Sequence, residues 1–427
     1  MATRTWLGIQ QAIAQVGTVQ ITAYDASTTY KITIGNVTIS TAGTGGTASA
    51  TAAALQALLA ASTQGMFAEI TWSVSTDTIT ATANVAGTPF TLTPAVSGGT
   101  GTIGSYSATT ANKSPNDLND AVNWSGATLP TNSDTIVFDA TSSVPVYWNL
   151  SSLSAVTISA VNIDMGYTGQ IGLPELNSTG GYTEYRATEL ALDSAAGGAT
   201  LNIGKGNGSG CGMVKLVLGS TGIWTITGYN TGSPIESGRA AVSIRGPSTA
   251  TVATIQAGTV DFCALNTGVG GSSQSMTISV LNVGPSSGNQ PTVRCGPGCT
   301  LTTVNNDNGT LEINSACTTL NHKGGQTTII GAGAITTIND SAGTVYHFGT
   351  GTVTTLNVTG ATFNVGDQGP AITVTNCKLG GAAQYLDRGN RVTETNGVAL
   401  QALARLAGTQ GGDVVVDKGP GRTFTVT

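Results

Sequence analysis

The chain has 427 residues, of which only 9% are charged, where about 25% is ordinary for a soluble protein. Its net charge of −6 and its 16 dispersed Lys and Arg residues exclude a basic stripe for phosphates, so we expect no nucleic-acid partner. The 39% hydrophobic content argues against disorder, and no apolar run is long enough to span a bilayer, so we expect no membrane partner.

Residues 1–16, "MATRTWLGIQQAIAQV", form an N-terminal arm. Its apolar stretch is short and contains Gln, unlike a signal peptide, so we expect synthesis in the cytoplasm. The arm combines Arg4 with the apolar residues Trp6, Leu7 and Ile9, but it is too short to build a core. We therefore expect it to be buried against something else, either the chain's own domain or a neighbouring protein, with Trp6 dominating the contact.

The sequence of residues 17–103 predicts a small α+β domain over that range. The segment "GTVQITAYDASTTYKITIGNVTIS" reads as strands, and "TASATAAALQALLAAS" from Thr47 is the one strong helix candidate. The segment "AEITWSVSTDTITATANVAGTPFTLTP" returns to strands. We expect a single helix laid on one sheet of about four or five strands.

Residues 104–135 are rich in Gly, Ser and Thr and predict a linker followed by a cap. In "NWSGATLPTNSDTIVFDA", we expect Trp124 to cover the open end of the structure that follows. Asp134 and Asp139 flank "TIVF" and are expected to hold turns by accepting hydrogen bonds from backbone N–H groups. The alternative for Trp124 is a carbohydrate-binding role.

Four hexapeptides share one pattern: "LTTVNN", "CTTLNH", "ITTIND" and "VTTLNV" begin at Leu301, Cys317, Ile335 and Val353, at intervals of 16, 18 and 18 residues. Each interval holds a second short strand-like segment, such as "GTLEIN", bounded by Gly, Asn or Asp turns. This pattern predicts one coil of a β-solenoid per interval. Stacking would place Thr over Thr and Asn over Asn, with Val, Ile and Leu in the core.

Looser copies extend the pattern in both directions. We predict a parallel β-helix over residues 136–385, a rod on the order of 60 Å long, and a C-terminal cap or tip over residues 386–427. The predicted fold is thus mainly β, with a small N-terminal α+β domain followed by a β-solenoid of short Gly- and Thr-rich coils.

These segments resemble a family of bacteriophage virion structural proteins. Those proteins open with a "MATRTW"-like arm and a small α+β domain, continue through "NWSGG..P...D.V.FD" and "YTGQIGLP"-like segments, and proceed as Gly- and Thr-rich repeats. The matching residues here are 123–126, Pro130, Asp134, Phe138, Asp139 and 167–174.

The resemblance implies a non-enzymatic decoration or fibre-like component of a virion, attached to capsid or tail proteins through its N-terminal region. It also implies symmetric association, for which we expect a homotrimer. An "NWS" phrase also begins repeats in some bacterial surface adhesins. The alternative is therefore a tail fibre or spike adhesin that binds a host surface glycan.

Cysteines stand at positions 211, 263, 295, 299, 317 and 377, mostly at strand-like places, so we expect buried structural thiols. The segment "CGPGC", from Cys295 to Cys299, also suits a metal site or a small disulfide. Zinc sites normally use shorter CxxC spacings with a second pair, for which only Cys317 and His322 are candidates. We therefore predict no metal and no cofactor.

An enzyme acting on polysaccharide usually needs two carboxylates at a fixed separation in an aromatic-lined groove. The acidic residues of the regular repeats are dispersed: Asp261, Asp307, Glu312, Asp340 and Asp367. The best local candidate is "GYTEYRATEL", with Glu184, Arg186 and Glu189, for which we favour a salt-bridged turn or a subunit contact. His322 and His347 lack a nucleophile and a partner acid, and we expect them at the solenoid surface or at an interface.

Overall fold

The computed structural model describes residues 1–174, 176–177, 180–208, 212–232, 241–263, 275–285, 289–367, 369–401 and 414–418. These residues form an N-terminal α+β domain and a parallel β-solenoid. Each has its own buried apolar cluster.

The N-terminal region contains two helices and nine strands. In chain order these are β1 (Thr3–Thr5), β2 (Val16–Ala23), β3 (Thr29–Ile34), β4 (Val37–Ala42), α1 (Ala48–Ala60), α2 (Gly65–Ala68), β5 (Ile70–Ser75), β6 (Thr78–Ala83), β7 (Thr93–Ser97), β8 (Thr102–Ile103) and β9 (Ser107–Thr110). Except for β1, these strands form a five-stranded sheet (β5-β6-β2-β8, with β9 also on β2) and a three-stranded sheet (β4-β3-β7), both antiparallel.

Helix α1 begins where the sequence predicts. Thr47 caps it, its hydroxyl accepting a hydrogen bond from the Ala50 N–H at 3.1 Å, and Leu55 and Leu59 are buried. The prediction of one sheet is wrong, because β2 and β3 pair with different neighbours and so divide the strands into two sheets. Strand β9 falls inside the segment predicted as a linker, where it pairs with β2.

The solenoid is built on two parallel sheets. The first sheet contains β1, β10 (Thr135–Phe138), β12 (Ala160–Asp164), β16 (Ala199–Lys205), β18 (Ile223–Gly228), β20 (Thr249–Ile255), β22 (Met276–Val283), β24 (Cys299–Asn306), β26 (Ala316–His322), β28 (Ile335–Asp340), β30 (Val353–Thr359), β32 (Ile372–Gly380), β34 (Val392–Glu394) and β35 (Val398–Leu400).

The second sheet supplies the other strand of each coil. It contains β11 (Thr157–Ile158), β15 (Leu190–Ser194), β17 (Val214–Leu218), β19 (Val242–Arg245), β21 (Thr259–Phe262), β23 (Thr292–Cys295), β25 (Gly309–Ile313), β27 (Gly325–Ile329), β29 (Thr344–His347), β31 (Thr362–Asn364), β33 (Gln384–Leu386) and β36 (Val415–Asp417). A hairpin of β13 (Leu176–Asn177) and β14 (Tyr182–Thr183) and two short 3-10 helices, Ala121–Asn123 and Ser125–Ala127, stand outside these sheets. The predicted β-solenoid with two strands per coil is confirmed.

The four hexapeptides stack as predicted. Their first residues form one buried column, Leu301, Cys317, Ile335 and Val353, and their fourth residues form another, Val304, Leu320, Ile338 and Leu356. The two Thr residues between these apolar positions are exposed or half-buried, as at Thr302 and Thr303. This pair interrupts strict in-out alternation, so that two apolar residues three positions apart both face the core.

Asparagine side chains form a hydrogen-bonded column along the outside of the first sheet. In the repeats the column runs through Asn282, Asn305, Asn321, Asn339 and Asn357. From Asn305 onward, each amide nitrogen donates to the side-chain oxygen of the Asn one coil earlier, at 2.8 or 2.9 Å. The repeated Asn therefore ties consecutive coils together through side chains as well as through the backbone.

The stacking extends beyond the predicted solenoid at both ends. β1 adds a strand before β10, and β34, β35 and β36 continue the two sheets after residue 385. The remainder of the predicted C-terminal cap, residues 402–413 and 419–427, lies outside the described residues. At about 4.8 Å per strand the first sheet is on the order of 60 Å long.

Candidate functional site at the capped end and the domain junction

Strand β1 completes the first coil of the solenoid. It lies parallel to β10, with Thr3 opposite Thr135 and Thr5 opposite Val137, and the Trp6 N–H donates to the Val137 carbonyl at 2.9 Å. The Trp6 ring is fully buried, and its Nε1 donates to the Val144 carbonyl at 2.9 Å. The arm is thus part of the solenoid that it precedes in the chain.

Trp124 and Trp6 together close the apolar core at this end. Their rings meet edge to face, with centroids 5.3 Å apart and planes at 74°, and both pack against Phe138. The Trp124 Nε1 donates to the Leu118 carbonyl at 2.9 Å, so its polar atom is satisfied although the ring is buried. Because the ring is buried, the alternative of Trp124 as a sugar-binding surface is wrong.

Asp134 fastens the arm to the cap. Its carboxylate accepts hydrogen bonds from the Ala2 N–H at 2.7 Å and the Thr131 N–H at 3.1 Å, and it pairs with Arg4 Nε at 3.3 Å. Burial alone would raise the pKa of Asp134, but these hydrogen bonds outweigh it and hold the pKa below its usual value. The ionised carboxylate therefore stabilises the paired arm.

The anchoring role predicted for the arm needs correction at two residues. Arg4 and Trp6 are engaged inside the chain, so Trp6 is not available to fill a pocket in another protein. Leu7 is half-buried, and Ile9 is 65% exposed. Of the four candidate residues, Ile9 is the one that presents a large apolar side chain to solvent.

Asp139 holds a turn and borders a cleft. It accepts hydrogen bonds from the Thr141 N–H at 2.9 Å and the Thr141 hydroxyl at 2.6 Å. The cleft, of about 400 Å³, is also lined by Asp164, Lys205 and Asn207. Burial, and then the charge of Asp139, raises the pKa of Asp164. No aromatic side chain is among the described residues that line this cleft.

The solenoid and the α+β domain meet at Arg186. Its guanidinium lies 4.8 Å from the ring centroids of both Trp148 and Tyr185. Its Nε donates to Glu184 Oε1 at 2.7 Å, and its Nη2 approaches Glu69 Oε2 at 3.3 Å. Glu69 follows helix α2, so this contact joins the two parts of the molecule.

The electrostatics of the junction favour a charged arginine. Burial alone would lower the pKa of Arg186, but its hydrogen bond to Glu184 and the charges around it outweigh that effect and raise the pKa. Nη1 also donates to the Pro89 carbonyl at 2.9 Å, which is a second bond to the α+β domain. A planar group with several donors suits this set of acceptors and the two ring faces better than lysine would.

The hairpin beside Arg186 packs into the α+β domain. The Tyr182 ring joins the buried cluster of that domain, and its hydroxyl donates to Glu69 Oε1 at 2.5 Å. Gly65 lies so close to this segment that a Cβ there would stand 1.8 Å from the Gly180 carbonyl oxygen. The contact therefore combines charge, aromatic packing and close backbone approach.

The segment "GYTEYRATEL" thus contains a salt-bridged turn, one of the two interpretations favoured from sequence. The Arg186 side chain of this turn also contacts Glu69 and Pro89 of the α+β domain. Glu189, in the same segment, takes no part in the Arg186 contacts and pairs with Arg245, whose Nε lies 2.7 Å from Glu189 Oε2. Sequence reasoning missed Glu69 and Trp148, which lie far from Arg186 along the chain and carry no local signal of the contact.

The expected surface positions of the two histidines are wrong. His322 and His347 are fully buried, because both occupy inward-facing positions of their strands. His322 Nδ1 lies 2.8 Å from Asp340 Oδ1 in the next coil, with Asn306 opposite His322 in the preceding one. Burial, and then the charge of Arg391, lowers the pKa of His347 to about 4.

The remaining candidates for metal or catalytic chemistry are, in the part of the chain that the structure describes, not arranged as a set of metal ligands. Cys263, Cys295, Cys299, Cys317 and Cys377 are buried and reduced, as expected for structural thiols, and Cys211 lies outside the described residues. Asp261 and Glu312 flank Arg294 on the outside of the second sheet, an alternation of charge across strands. Among the described residues no three His, Cys, Asp or Glu side chains are placed to hold a metal ion.

Comparisons with protein-family models, with curated proteins and with solved structures found no match to this chain. Among the described residues, no helix has the length and apolar character needed to cross a membrane.

Proposed function

We propose that this chain is a non-enzymatic structural component of a bacteriophage virion. In this proposal it is a decoration or fibre-like protein, attached to capsid or tail proteins through its N-terminal region. Its solenoid either projects from the particle or reinforces the particle surface. The observation that carries the proposal is the Arg186 junction, which joins the α+β domain to the rod near its capped end. A domain held in this way can position the rod on a surface.

The character of the described side chains supports a mechanical role. The cleft beside Asp139 lacks an aromatic wall among its described lining residues. The carboxylates of the repeats are dispersed or paired with Arg294 or His322, and the outside of the first sheet carries a column of amides. Such a rod gains its rigidity from stacked coils and needs no cofactor.

The same proposal includes assembly as a homotrimer. Ile9, Ile223, Ile330 and Phe348 leave apolar surface exposed, which symmetric association would cover. Sedimentation of the purified chain is expected to give a species three times the 42.6 kDa of the monomer. A monomer whose mass does not change with concentration would overturn the trimer.

The second candidate function is a tail fibre or spike adhesin that binds a host surface glycan. It is favoured by one feature: Tyr346 and Phe348 stack on the outside of the solenoid, with centroids 5.7 Å apart and planes at 24°, and Phe348 is 44% exposed. Aromatic faces of this kind suit sugar rings.

Labelling of purified virions separates the two functions. Gold-conjugated antibodies against the α+β domain are expected to mark the particle surface where the chain attaches. Binding of soluble chain to host cells that is lost in a Phe348→Ala variant would favour the adhesin. Particles from which the chain is missing altogether would overturn both functions.

A further inference from the structure

Three buried cysteines meet at one corner of the solenoid, where the chain passes from the second sheet to the first. Cys263 follows β21, Cys295 ends β23 and Cys299 begins β24. The strands are in register, with Phe262 opposite Cys295 and Met276 opposite Cys299. Cys263 and the segment from Cys295 to Cys299 therefore occupy the same corner of neighbouring coils.

Hydrogen bonds bring the Cys299 sulfur to the Cys263 side of this corner. The Cys299 N–H donates to the Gly296 carbonyl at 3.0 Å, closing the turn, and the Cys299 Sγ donates to the Phe262 carbonyl at 3.2 Å. Phe262 directly precedes Cys263. Cys263 has a φ of +48°, a left-handed conformation that a residue with a Cβ adopts at a cost.

The thiols affect one another as groups in contact do. The hydrogen bond with Cys299, followed by burial, raises the pKa of Cys263. For Cys299 the contact with Cys263 lowers the pKa, but the contact with Cys295 and burial outweigh it and raise the pKa overall. By contrast, burial raises the pKa of Cys317 to about 12, and no second thiol contributes there.

We propose that Cys263 and Cys299 form a disulfide that locks two neighbouring coils when the protein meets an oxidising medium. The bond would enclose β22 and β23, which together make up one complete coil. Because a coil packs only against its two neighbours, such a link opposes local opening of the rod. The bond is a property of the folded chain and does not rest on the proposed function.

The chemistry needs an oxidant, for which a small-molecule disulfide such as oxidised glutathione suffices. The Cys299 thiolate attacks one sulfur of that disulfide, forms a mixed disulfide and releases one small-molecule thiol. The Cys263 thiolate then attacks the Cys299 sulfur and releases the second. Two protein thiols are oxidised, one small-molecule disulfide is reduced to two thiols, and the two protons lost by the cysteines are taken up by the released thiolates.

The reaction should be slow in the closed fold, since both thiols are buried and have raised pKa values. The test therefore incubates the full-length reduced chain with a glutathione redox buffer in urea concentrations below the unfolding midpoint, where coils open transiently. Free thiols are then alkylated in denaturant and the chain is digested with trypsin without reduction.

The positions of the trypsin sites make the product easy to identify. Arg245, Arg294 and Lys323 bound two peptides, one carrying Cys263 and the other carrying Cys295, Cys299 and Cys317. The expected result is a covalent pair of these peptides that separates on reduction. The pair should persist in Cys295→Ala and in the control Cys317→Ala, and it should be lost in Cys299→Ala.

Stability provides a second measurement. The oxidised chain should melt several degrees above the reduced chain, and Cys299→Ala should abolish that difference. Full alkylation of Cys263 after oxidation, a bond confined to Cys295 and Cys299, or a cross-link that survives Cys299→Ala would overturn the proposal. Protection from alkylation that requires added Zn²⁺ would indicate a metal site and would overturn it too.

Discussion

The ring of Trp6 lies edge to face against the ring of Trp124, 5.3 Å away, although the whole α+β domain separates the two residues in the chain. The first strand of the chain and the cap before β10 therefore close the solenoid together. The α+β domain is an insertion between two parts of one coil.

Replacing Trp6 by Ala should destabilise the solenoid by about 3 to 5 kcal/mol, because it removes a fully buried ring from the end of the core. Ile9→Ala is the matched control in the same arm and should change stability by less than about 0.5 kcal/mol, since Ile9 is 65% exposed. Urea denaturation of the two variants measures the difference. Equal, small losses in both would show that the arm does not cap the rod in solution.

Removal of residues 2–10 should expose the first coil. Because β1 pairs with β10 and Asp134 binds Ala2 and Arg4, we expect faster amide hydrogen exchange in β10 and β12 after the deletion. The increase in exchange rate should be smaller in strands further along the rod. Unchanged exchange in β10 after the deletion would contradict the arrangement.

Replacing Arg186 by Lys should loosen the junction while leaving both parts folded. Lysine keeps the charge but loses the paired bonds to Glu184 and the stacking between Trp148 and Tyr185. We expect one calorimetric transition to separate into two. Arg388→Lys is the control, since Arg388 is largely exposed and pairs with Asp417 at the far end of the rod. A single unchanged transition in Arg186→Lys would contradict the role of the junction.

Truncation of an inward-facing side chain in the repeats should destabilise the protein far more than a change in the outward-facing residue beside it. Leu320→Ala, Ile338→Ala and Leu356→Ala should each cost about 2 to 5 kcal/mol, because each leaves a cavity in a fully buried column. Thr337→Ser, beside one of them on the outer face, should cost much less. Thermal melting of the four variants checks the register, and equal melting temperatures would refute it.

His347 should make stability depend on pH between about 6.5 and 4. Burial lowers its pKa to about 4 in the folded chain, so in this range the unfolded chain binds a proton that the folded chain does not. The contribution of His347 to the free energy of unfolding is fully present above pH 6.5 and decreases as the pH falls. At pH 5 the protein should be less stable by about 2 kcal/mol for this reason. His347→Leu should flatten the difference between urea midpoints at pH 7.5 and 5.0. A variant as sensitive to acid as the parent would show that other groups control the effect.

The repeats could be predicted from sequence because their information is local. Each apolar pair, such as Leu320 with Cys317, and each Asn lies at a fixed place in a short phrase, and stacking follows from the repetition. The same holds for α1, which Thr47 and a run of Ala and Leu define.

Contacts between distant segments could not be predicted in this way. The three residues of β1 carry no sign that their partner is Thr135 to Val137, and Arg186 carries none that it meets Glu69. The lack of a nucleophile and a partner acid in sequence predicts a surface or interface place for His322 and His347, but their strand positions face inward. Coil stacking overrides the preference of a single side chain when its neighbours fix the register.

A cryo-electron microscopy map of purified virions tests the central claim most directly. We predict density for a rod on the order of 60 Å long, with its α+β domain against the capsid or tail and the copies related by threefold symmetry. A virion map without such a rod, in particles shown by mass spectrometry to lack the chain, would contradict it.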